Sequence, residues 1–334
     1  MVQRNVVFVT GAPGWLGSRL VEELIKLKRK VRCLVLKGSC TTYLQKLGAE
    51  IIEGNLTDAS TIKEEHLHDV NTIFHCAGII HPKLFRAKDF YAINREGTRN
   101  ILRKSVQAGV KKFIYVSSNS AAGVNKNRYT LMTESTPDRP YTDYGKSKWQ
   151  AEQIVKKFQR SEKIQTVIIR PCWFYGIRQP DRLTKLVRMI KVGNPFLFGD
   201  GNNLRSMTYI DDLVDALFLA EKKDIAIGKT YWIADERPYT TNEIYEAISR
   251  LLGVKLHPKR VPVIVSRMME FADKIAGWFG IYEINIHVGG EMVRNIAVDI
   301  SKAKRELGWK PKHGGLKEGM KTLIEWSNEN NLII

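Results

Sequence analysis

The chain has 334 residues, of which 43% are hydrophobic and 26% charged, and its 53 Lys and Arg outnumber its 35 Asp and Glu to give a net charge of +18. This composition is ordinary for a globular protein and excludes a mainly disordered chain, a collagen and a coiled coil. The sequence has no apolar run long enough for a spanning helix and no secretory leader before the first strand, so we expect a cytoplasmic protein.

The positive charge favours anionic partners, such as a phosphorylated small molecule or a membrane surface contacted peripherally, although a solvated Lys-rich surface explains it equally well. No recognised nucleic-acid-binding motif accompanies the charge, and we expect no nucleic-acid partner. The four cysteines are scattered, which predicts reduced thiols, and the seven histidines lack the spacing of a metal site, so no metal is expected.

Short β-branched segments alternate with helical patterns over the first two-thirds of the chain. Six of them lack the polar alternation of a half-exposed strand and predict buried strands, at 6–10, 31–36, 49–53, 72–76, 113–117 and 167–170. In the first helical segment, one face carries Leu16, Leu20, Leu24 and Leu27. Strands that alternate with helices predict an α/β fold with a doubly wound parallel sheet.

The pattern loosens after Arg170, where prolines and a glycine-rich loop interrupt it. We therefore expect a Rossmann-type domain over 1–170 and a smaller substrate-binding lobe over 171–334, with a part near 205–235 returning to the main domain. A late strand near 231–234 would rejoin the sheet. The segment 263–281 mixes apolar and charged residues and predicts an amphipathic helix, packed on its own lobe rather than on a membrane.

Three glycines follow the first strand, at Gly11, Gly14 and Gly17. Gly11 permits a tight turn, Gly14 lets the backbone approach a pyrophosphate, and Gly17 lets the helix pack closely on the sheet. The N-terminus of the following helix offers free N–H groups and positive partial charge to phosphates. The position between a buried strand and a helix makes this a strong prediction of a dinucleotide site.

An acidic residue about twenty positions beyond such a loop binds the ribose 2′-hydroxyl of NAD. The matching position here is Val35, followed by Leu36, and no acid lies nearby. Arg32 or Lys37 could meet a 2′-phosphate as charge-assisted donors. The cofactor is therefore NAD or NADP, and the missing acid favours NADP or a relaxed choice.

A second chemical motif follows the fifth strand, which ends in Ser117 and Ser118, with Tyr144 and Lys148 downstream. Tyr and Lys four residues apart share one face of a helix. A Tyr hydroxyl is a poor base at neutral pH, but a nearby ammonium stabilises the phenolate and lowers its pKa. The Tyr can then exchange a proton with a substrate oxygen while hydride moves to or from a nicotinamide, and a Ser hydroxyl can bind the same oxygen.

The glycine loop, the Ser pair and the Tyr-x-x-x-Lys segment resemble, in this order, the extended type of short-chain dehydrogenase/reductases. The resemblance implies a catalytic triad of Ser118, Tyr144 and Lys148, and family members are commonly homodimers. It also implies that the cofactor is bound by residues of the glycine loop, of the strand ends and of the segments around Asn94 and Arg170. Besides the glycines, Arg32, Lys37, Tyr144 and Lys148, these are Pro13, Trp15, Leu16, Asn55, Leu56, Cys76, Ala77, Gly78, Asn94, Ser117 and Pro171.

The segment from Gly199 to Asp212 resembles one in nucleotide-sugar epimerases and dehydratases, where an Arg grips the nucleotide diphosphate. The resemblance implies that Arg205 binds substrate, with Arg178 as a weaker candidate beside Ser118 and Tyr144. Trp173 stands where many epimerases have an Asn that contacts the nucleotide, and we count it as a substrate residue too. Trp173 and the missing ribose acid are features shared with 3β-hydroxysteroid dehydrogenases and dihydroflavonol reductases.

Two functions remain open on these grounds. The first is an NAD(P)-dependent epimerase, dehydratase or reductase of a nucleotide sugar, with Tyr144 as acid and base. The alternative is an NADP-dependent dehydrogenase or reductase of a steroid-like or other apolar alcohol or carbonyl compound. Retention of the cofactor through turnover would favour the first, and its net consumption the second.

Overall fold

A computed structural model describes residues 6–82, 86–161 and 163–331. Seven parallel strands form one sheet in the order β3-β2-β1-β4-β5-β6-β11, with helices on both faces. The strands are β1 Val6–Thr10, β2 Lys30–Val35, β3 Glu50–Glu53, β4 Val70–His75, β5 Lys112–Val116, β6 Gln165–Pro171 and β11 Thr230–Ile233. The doubly wound parallel sheet expected from the sequence is confirmed, and the strand expected near 231–234 pairs with β6.

The helices of the main domain connect successive strands across the two faces of this sheet. They are α1 Trp15–Lys26, α2 Thr42–Lys46, α3 Lys88–Phe90, α4 Gly97–Gln107, α5 Asp143–Arg160 and α7 Ile210–Lys222, and a π-helical stretch, Tyr91–Glu96, joins α3 to α4. Leu16, Leu20 and Leu24 are buried as expected. Leu27 is 60% exposed, because α1 ends at Lys26 and the chain turns away at Lys28, which has a positive φ.

The remaining elements are short strand pairs and helices beyond the carboxyl edge of the sheet. The strands are β7 Trp173–Tyr175, β8 Phe196–Phe198, β9 Leu204–Arg205, β10 Met207–Tyr209, β12 Tyr239–Thr240 and β13 Lys259–Val261, and the helices are α6 Asp181–Lys191, α8 Thr241–Leu252, α9 Val263–Trp278, α10 Ile284–Glu291 and α11 Gly315–Glu329. Among the described residues, no helix is both long and apolar enough to cross a membrane.

The strand order reverses between β1 and β4. From β1 the chain continues to β2 and β3 on one side of the sheet, and from β4 it continues to β5 and β6 on the other side. In an open α/β sheet, ligands bind in the crevice outside the carboxyl ends of the strands at this reversal. The glycine loop after β1 and the segment after β4 both end at the crevice, so the fold brings the two predicted cofactor segments together.

Candidate active site

The glycine loop is packed so tightly that each of its three glycines is required by the loop itself. Gly11 has φ of +85°, and a Cβ there would lie 2.5 Å from the amide nitrogen of Ala77. A Cβ on Gly14 would lie 2.7 Å from the carbonyl oxygen of Gly11, and one on Gly17 would lie 2.5 Å from the same atom. Gly17 therefore allows α1 to pack against the loop, rather than against the sheet as the sequence suggested.

The first turn of α1 faces the crevice without a side-chain cap. Gly14 is its N-cap residue, and the described part of the chain shows no side-chain cap hydrogen bond at this end. These groups and the positive end of the helix dipole are available to an anion. Trp15 begins the helix and donates its indole N–H to the carbonyl of Ile177 at 2.8 Å, which ties the loop to the segment that follows β7. The geometry fits the pyrophosphate of a dinucleotide.

The edge of the crevice near β2 has no carboxylate at the positions after Val35. Leu36 there is 58% exposed, and Lys37 follows it. The guanidinium of Arg32 is occupied instead: it pairs with Glu50 at 2.8 Å and donates to the carbonyls of His66 and His68. Arg32 and Lys37 are the two candidates to meet a 2′-phosphate. Among the described residues, only Arg32 has an ion pair and carbonyl acceptors of this kind.

Asn55 and Leu56 follow β3 at the same edge. The Asn55 side chain accepts from the N–H and the hydroxyl of Thr57, which closes a local turn. The carbonyl of Leu56 accepts from the side chain of Asn100 on α4. These bonds hold the turn against α4, in the position where the resemblance implies contact with the adenine half of a cofactor.

The floor of the crevice is the segment after β4, which contains Cys76, Ala77 and Gly78. Burial raises the pKa of the Cys76 thiol to about 12, so this Cys stays protonated. Asn94, in the π-helical stretch, accepts from the N–H of Ile79 at 2.8 Å and donates to its carbonyl at 3.1 Å. A Cβ on Gly78 would lie 3.0 Å from the side-chain oxygen of Asn94. Asn94 therefore fixes the path of the chain beside the site; π-helical turns are frequent at such places.

Lys148 lies within this floor, on α5. Its ammonium donates to the carbonyl of Val116 at 2.7 Å and lies 4.6 Å from the ring centroid of Tyr115. Burial lowers the pKa of Lys148 to about 8, against the opposing effect of the nearby Glu152. The group is thus mostly charged at neutral pH and loses its charge at mildly alkaline pH.

Tyr144 lies one helical turn before Lys148, in the first turn of α5, and is half-buried. Its ring packs on Phe90 with centroids 5.9 Å apart, and Phe90 packs in turn on Tyr282. Tyr282 accepts or donates a hydrogen bond of 2.6 Å with His81. The sequence analysis missed this aromatic wall, because its members are far apart in the chain and carry no motif.

Ser117 and Ser118 have opposite surroundings. The Ser117 hydroxyl donates to Glu152 at 2.5 Å and is turned into the core, so only its backbone can face a cofactor. Ser118 caps the short turn at Asn119–Ala121, where its hydroxyl accepts from the N–H of Ser120. A Cβ on Gly145 would lie 2.4 Å from the carbonyl oxygen of Ser120, so the turn packs directly on the first turn of α5. Gly145 thus allows Ser118 and Tyr144 to come together.

Beneath the Ser pair lies a buried ion cluster that the sequence analysis also missed. Glu152 accepts from Arg170 at 2.8 and 2.5 Å, and Arg170 also pairs with Asp138 at 2.9 Å. The side chains of Glu152 and Arg170 are 0% and 2% exposed. The cluster joins α5 to β6 and fixes the position of the helix that carries Tyr144 and Lys148.

Besides Ser118 and Tyr144, three residues are expected to bind substrate, and they lie in different places. Arg178 is on the surface, paired with Glu22 at 3.1 Å and stacked over the ring of Tyr43. Trp173 lines a small internal cavity of about 10 Å³ together with Gln179 and Met207. Pro171, expected near the cofactor, is buried at the end of β6.

Arg205, the third substrate residue, is linked to the neighbourhood of Tyr144. Its guanidinium donates to the backbone carbonyl of Glu291, and the Glu291 carboxylate accepts from the hydroxyl of Tyr141 at 2.5 Å. Tyr141 precedes Tyr144 by three residues. Within the described ranges, no carboxylate lies within 4.0 Å of the Arg205 guanidinium, and burial lowers its pKa. This cation therefore has no counter-charge in contact and remains available to an anionic ligand.

The model of the NAD dependent epimerase/dehydratase family matches residues 7–234. The chain belongs to this family. It is therefore an NAD-dependent enzyme of the extended short-chain dehydrogenase/reductase type, and the family expected from the sequence is confirmed.

Relatives of this family member cover between 77% and 98% of its length. It is 37% identical to the uncharacterized protein y4nL of Sinorhizobium fredii, over 97% of this chain and 96% of that protein. It is 28% identical to an N-acetyl-alpha-D-glucosaminyl-diphospho-ditrans,octacis-undecaprenol 4-epimerase of Escherichia coli O157:H7, over 77% and 75% of the two chains. A solved structure of Thermotoga maritima UDP-glucose 4-epimerase with UDP-glucose matches with a TM-score of 0.80 and 25% identity, over 98% and 99% of the two chains.

Proposed function

We propose that the chain interconverts epimers of a sugar linked to a diphosphate, as the named 4-epimerases among its relatives and structural neighbours do. The observation that carries this proposal is Arg205, a partly buried guanidinium that has no ion pair with any described residue. Glu291 and Tyr141 connect it to the helix of Tyr144. A planar guanidinium with several donors is suited to a diphosphate. An apolar alcohol would leave this buried cation without a counter-charge, at a cost in binding free energy.

In the mechanism that we propose, Tyr144 removes the proton of a sugar hydroxyl while the hydrogen on the same carbon leaves as hydride. The products of this half-reaction are a ketone and a protonated Tyr144. The sugar then presents its other face, hydride returns to the carbon, and Tyr144 gives the proton back to the oxygen. The nicotinamide, when bound, supplies the hydride acceptor and donor. No cofactor is consumed in the net reaction.

The charge on Lys148 is what allows Tyr144 to act as a base near neutral pH, because a neighbouring cation stabilises the phenolate. Lys148 is held by the carbonyl of Val116 and buried near Gly78, so water screens its charge only weakly. Ser118 donates to the reacting oxygen and holds it next to the Tyr144 hydroxyl. We expect Lys37 to contact the ribose side of the cofactor and Arg178 to remain structural.

Purified protein should be incubated with UDP-glucose, UDP-N-acetylglucosamine and dTDP-glucose, and the sugar products identified by NMR. The proposal predicts a 4-epimer of at least one of them without net formation of NADH or NADPH. Tyr144→Phe should lower kcat about 100- to 10,000-fold, whereas the matched control Tyr129→Phe, at an exposed Tyr, should leave it unchanged.

Arg205→Ala should raise KM for the converted sugar, with Arg205→Lys intermediate because Lys keeps the charge but loses the fork of donors. The second function that the sequence allows has one observation in its favour, the presence of Val35 at the position that matches a ribose-binding acid. Stoichiometric oxidation of NADPH by an apolar carbonyl compound, with no epimer from any of the three sugars, would establish that function and overturn our proposal.

A further inference from the structure

The outer face of α9 and the turn that follows it form an exposed apolar surface. Positions 264, 268, 271 and 278 recur at helical spacing and therefore lie on one side of the helix. The turn continues the apolar run to Ile281. The exposed fractions are 59% for Ile264, 65% for Met268, 65% for Phe271, 84% for Trp278, 77% for Phe279 and 53% for Ile281. We call these six residues the α9 face.

Charged side chains on α9 are sorted by sign. Glu270 and Asp273 turn inward, where Glu270 pairs with Arg294 and Asp273 lies 2.9 Å from His287 on α10. Their side chains are only 13% and 18% exposed. Arg267 and Lys274 lie on the exposed side, next to the apolar stripe, although Lys274 also reaches Glu270 at 3.0 Å.

Further cations lie at the two ends of the helix. Arg260, on β13, precedes the helix and lines a shallow depression with Val263, and Asp200 is the acid on the rim of the same depression. Arg86 forms a backbone bridge with Ile281 at the other end; its side chain is half-exposed and pairs with Asp89 at 3.2 Å. The apolar face is thus bordered mainly by positive charge.

We propose that the α9 face docks on an anionic lipid bilayer. A bare apolar face of this kind, with large aromatic residues and bordering Lys and Arg, has the composition of a helix that lies in the membrane interface. The apolar side chains enter the boundary between headgroups and acyl chains, while the basic side chains meet anionic headgroups. The net charge of +18 acts in the same direction by attracting the whole chain to such a surface.

Docking would place the catalytic helix close to the bilayer. A Cβ on Gly277, in the last turn of α9, would lie 3.2 Å from the carboxylate of Asp143, which directly precedes Tyr144. The N–H of Ala87 donates to the carbonyl of Gly280 in the turn after α9, so the segment that leads to Phe90 is fixed to the same end of the face. The docking surface and the active site therefore share a border.

The test is co-sedimentation of the full-length protein with vesicles, at low and at physiological salt and without any sugar substrate. The vesicles are pure phosphatidylcholine or an equimolar mixture of phosphatidylcholine and phosphatidylglycerol. We expect binding to the mixed vesicles, weakened by salt, and little binding to the neutral ones. Because no substrate is present, the result is independent of whether the proposed epimerase activity is correct.

Two paired variants separate the apolar and the charged contributions. Trp278→Ser with Phe279→Ser should abolish binding, and Arg267→Gln with Lys274→Gln should lower the partition coefficient roughly thirtyfold. The control for the first pair is Tyr129→Ser, at another exposed aromatic residue. The control for the second is Lys28→Gln with Lys30→Gln, at the amino edge of the sheet.

Sedimentation velocity without vesicles completes the experiment. Wild-type protein that does not bind anionic vesicles, or binding that the α9 variants leave unchanged, would overturn the proposal. A third outcome would also overturn the proposal: the protein does not bind vesicles, is an oligomer, and becomes a smaller species in the variant with Trp278→Ser and Phe279→Ser. The α9 face would then be an interface between copies of this chain. Unchanged circular dichroism of the variants excludes misfolding as the cause of lost binding.

Discussion

Replacement of Glu152 by Gln tests the buried cluster beneath the active site. The change keeps the shape of the side chain but removes its charge and one of its two acceptor oxygens. Arg170 donates to both carboxylate oxygens of Glu152, and Ser117 donates to one of them. In the Gln variant an NH₂ group replaces one of these oxygens, and it cannot accept a hydrogen bond from the donor that faces it. Breaking a buried ion pair on one side typically costs about 3–5 kcal/mol.

Asp138 remains in contact with Arg170 at 2.9 Å and should compensate in part. We therefore expect Glu152→Gln to lower the free energy of unfolding by about 3 kcal/mol, the lower end of that range. Urea denaturation followed by tryptophan fluorescence measures this loss. Lys156→Gln is the matched control, because Lys156 lies 3.8 Å from Glu152 but is partly exposed and should contribute less than about 1 kcal/mol.

A double-mutant cycle with Arg170→Gln separates the pair from other effects of the substitutions. The two single losses should add up to clearly more than the loss in the double variant, because each single change leaves a charge buried without its partner. A loss below about 1 kcal/mol in Glu152→Gln, or additive losses in the cycle, would refute the idea that this pair holds α5 against β6.

Three further predictions concern the site and its support. Burial lowers the pKa of Lys148 to about 8, so kcat should fall as the pH rises through this value and the charge is lost. Lys148→Arg should move this alkaline fall in kcat to higher pH. If the fall stays at the same pH, another group causes it. Gly145→Ala should reduce kcat strongly, because the new Cβ would lie 2.4 Å from the carbonyl oxygen of Ser120. The control is Gly253→Ala, where a Cβ has open space but φ is +67°; it should cost about 1 kcal/mol of stability and leave kcat unchanged. Burial raises the pKa of Asp235 to about 7 from its usual 3.8, so the protonated form that stabilises the fold is lost as the pH rises. Thermal unfolding scans should therefore show Asp235→Asn to be more stable than the wild type above pH 7, by up to about 4 kcal/mol, with a smaller difference at acidic pH. A difference in stability that does not change with pH would contradict this.

Much of the fold could be predicted from local pattern. All six strands expected in the first 170 residues are present within two residues at either end, because continuous β-branched runs are typical of strands buried on both faces. Leu27 shows the limit of periodicity: it continues the helical spacing of Leu24, but the helix ends one residue before it. Periodicity shows which face is apolar and does not show where the helix stops.

Contacts between distant segments could not be predicted. Arg32 was expected near a 2′-phosphate, but the register of β2 on β3 places it beside Glu50, and no local signal carries that register. Arg170 was recognised only as part of a segment that borders the cofactor, and its pairing with Glu152 depends on how α5 packs on β6. Helix α9 packs on α10, but the spacing of its apolar residues did not show that eight large apolar residues of α9 and its following turn would be left exposed.

The central claim is that hydride is returned to the same sugar, so that the cofactor remains on the chain through turnover. The most direct measurement is to denature freshly purified protein and to identify and quantify any released nucleotide by mass spectrometry. The account predicts an oxidised nicotinamide dinucleotide, near stoichiometric with the chain and absent from a Gly11→Val variant, whose side chain would overlap Ala77. A chain that is purified empty, and that then consumes NADPH stoichiometrically with a carbonyl substrate, would contradict it.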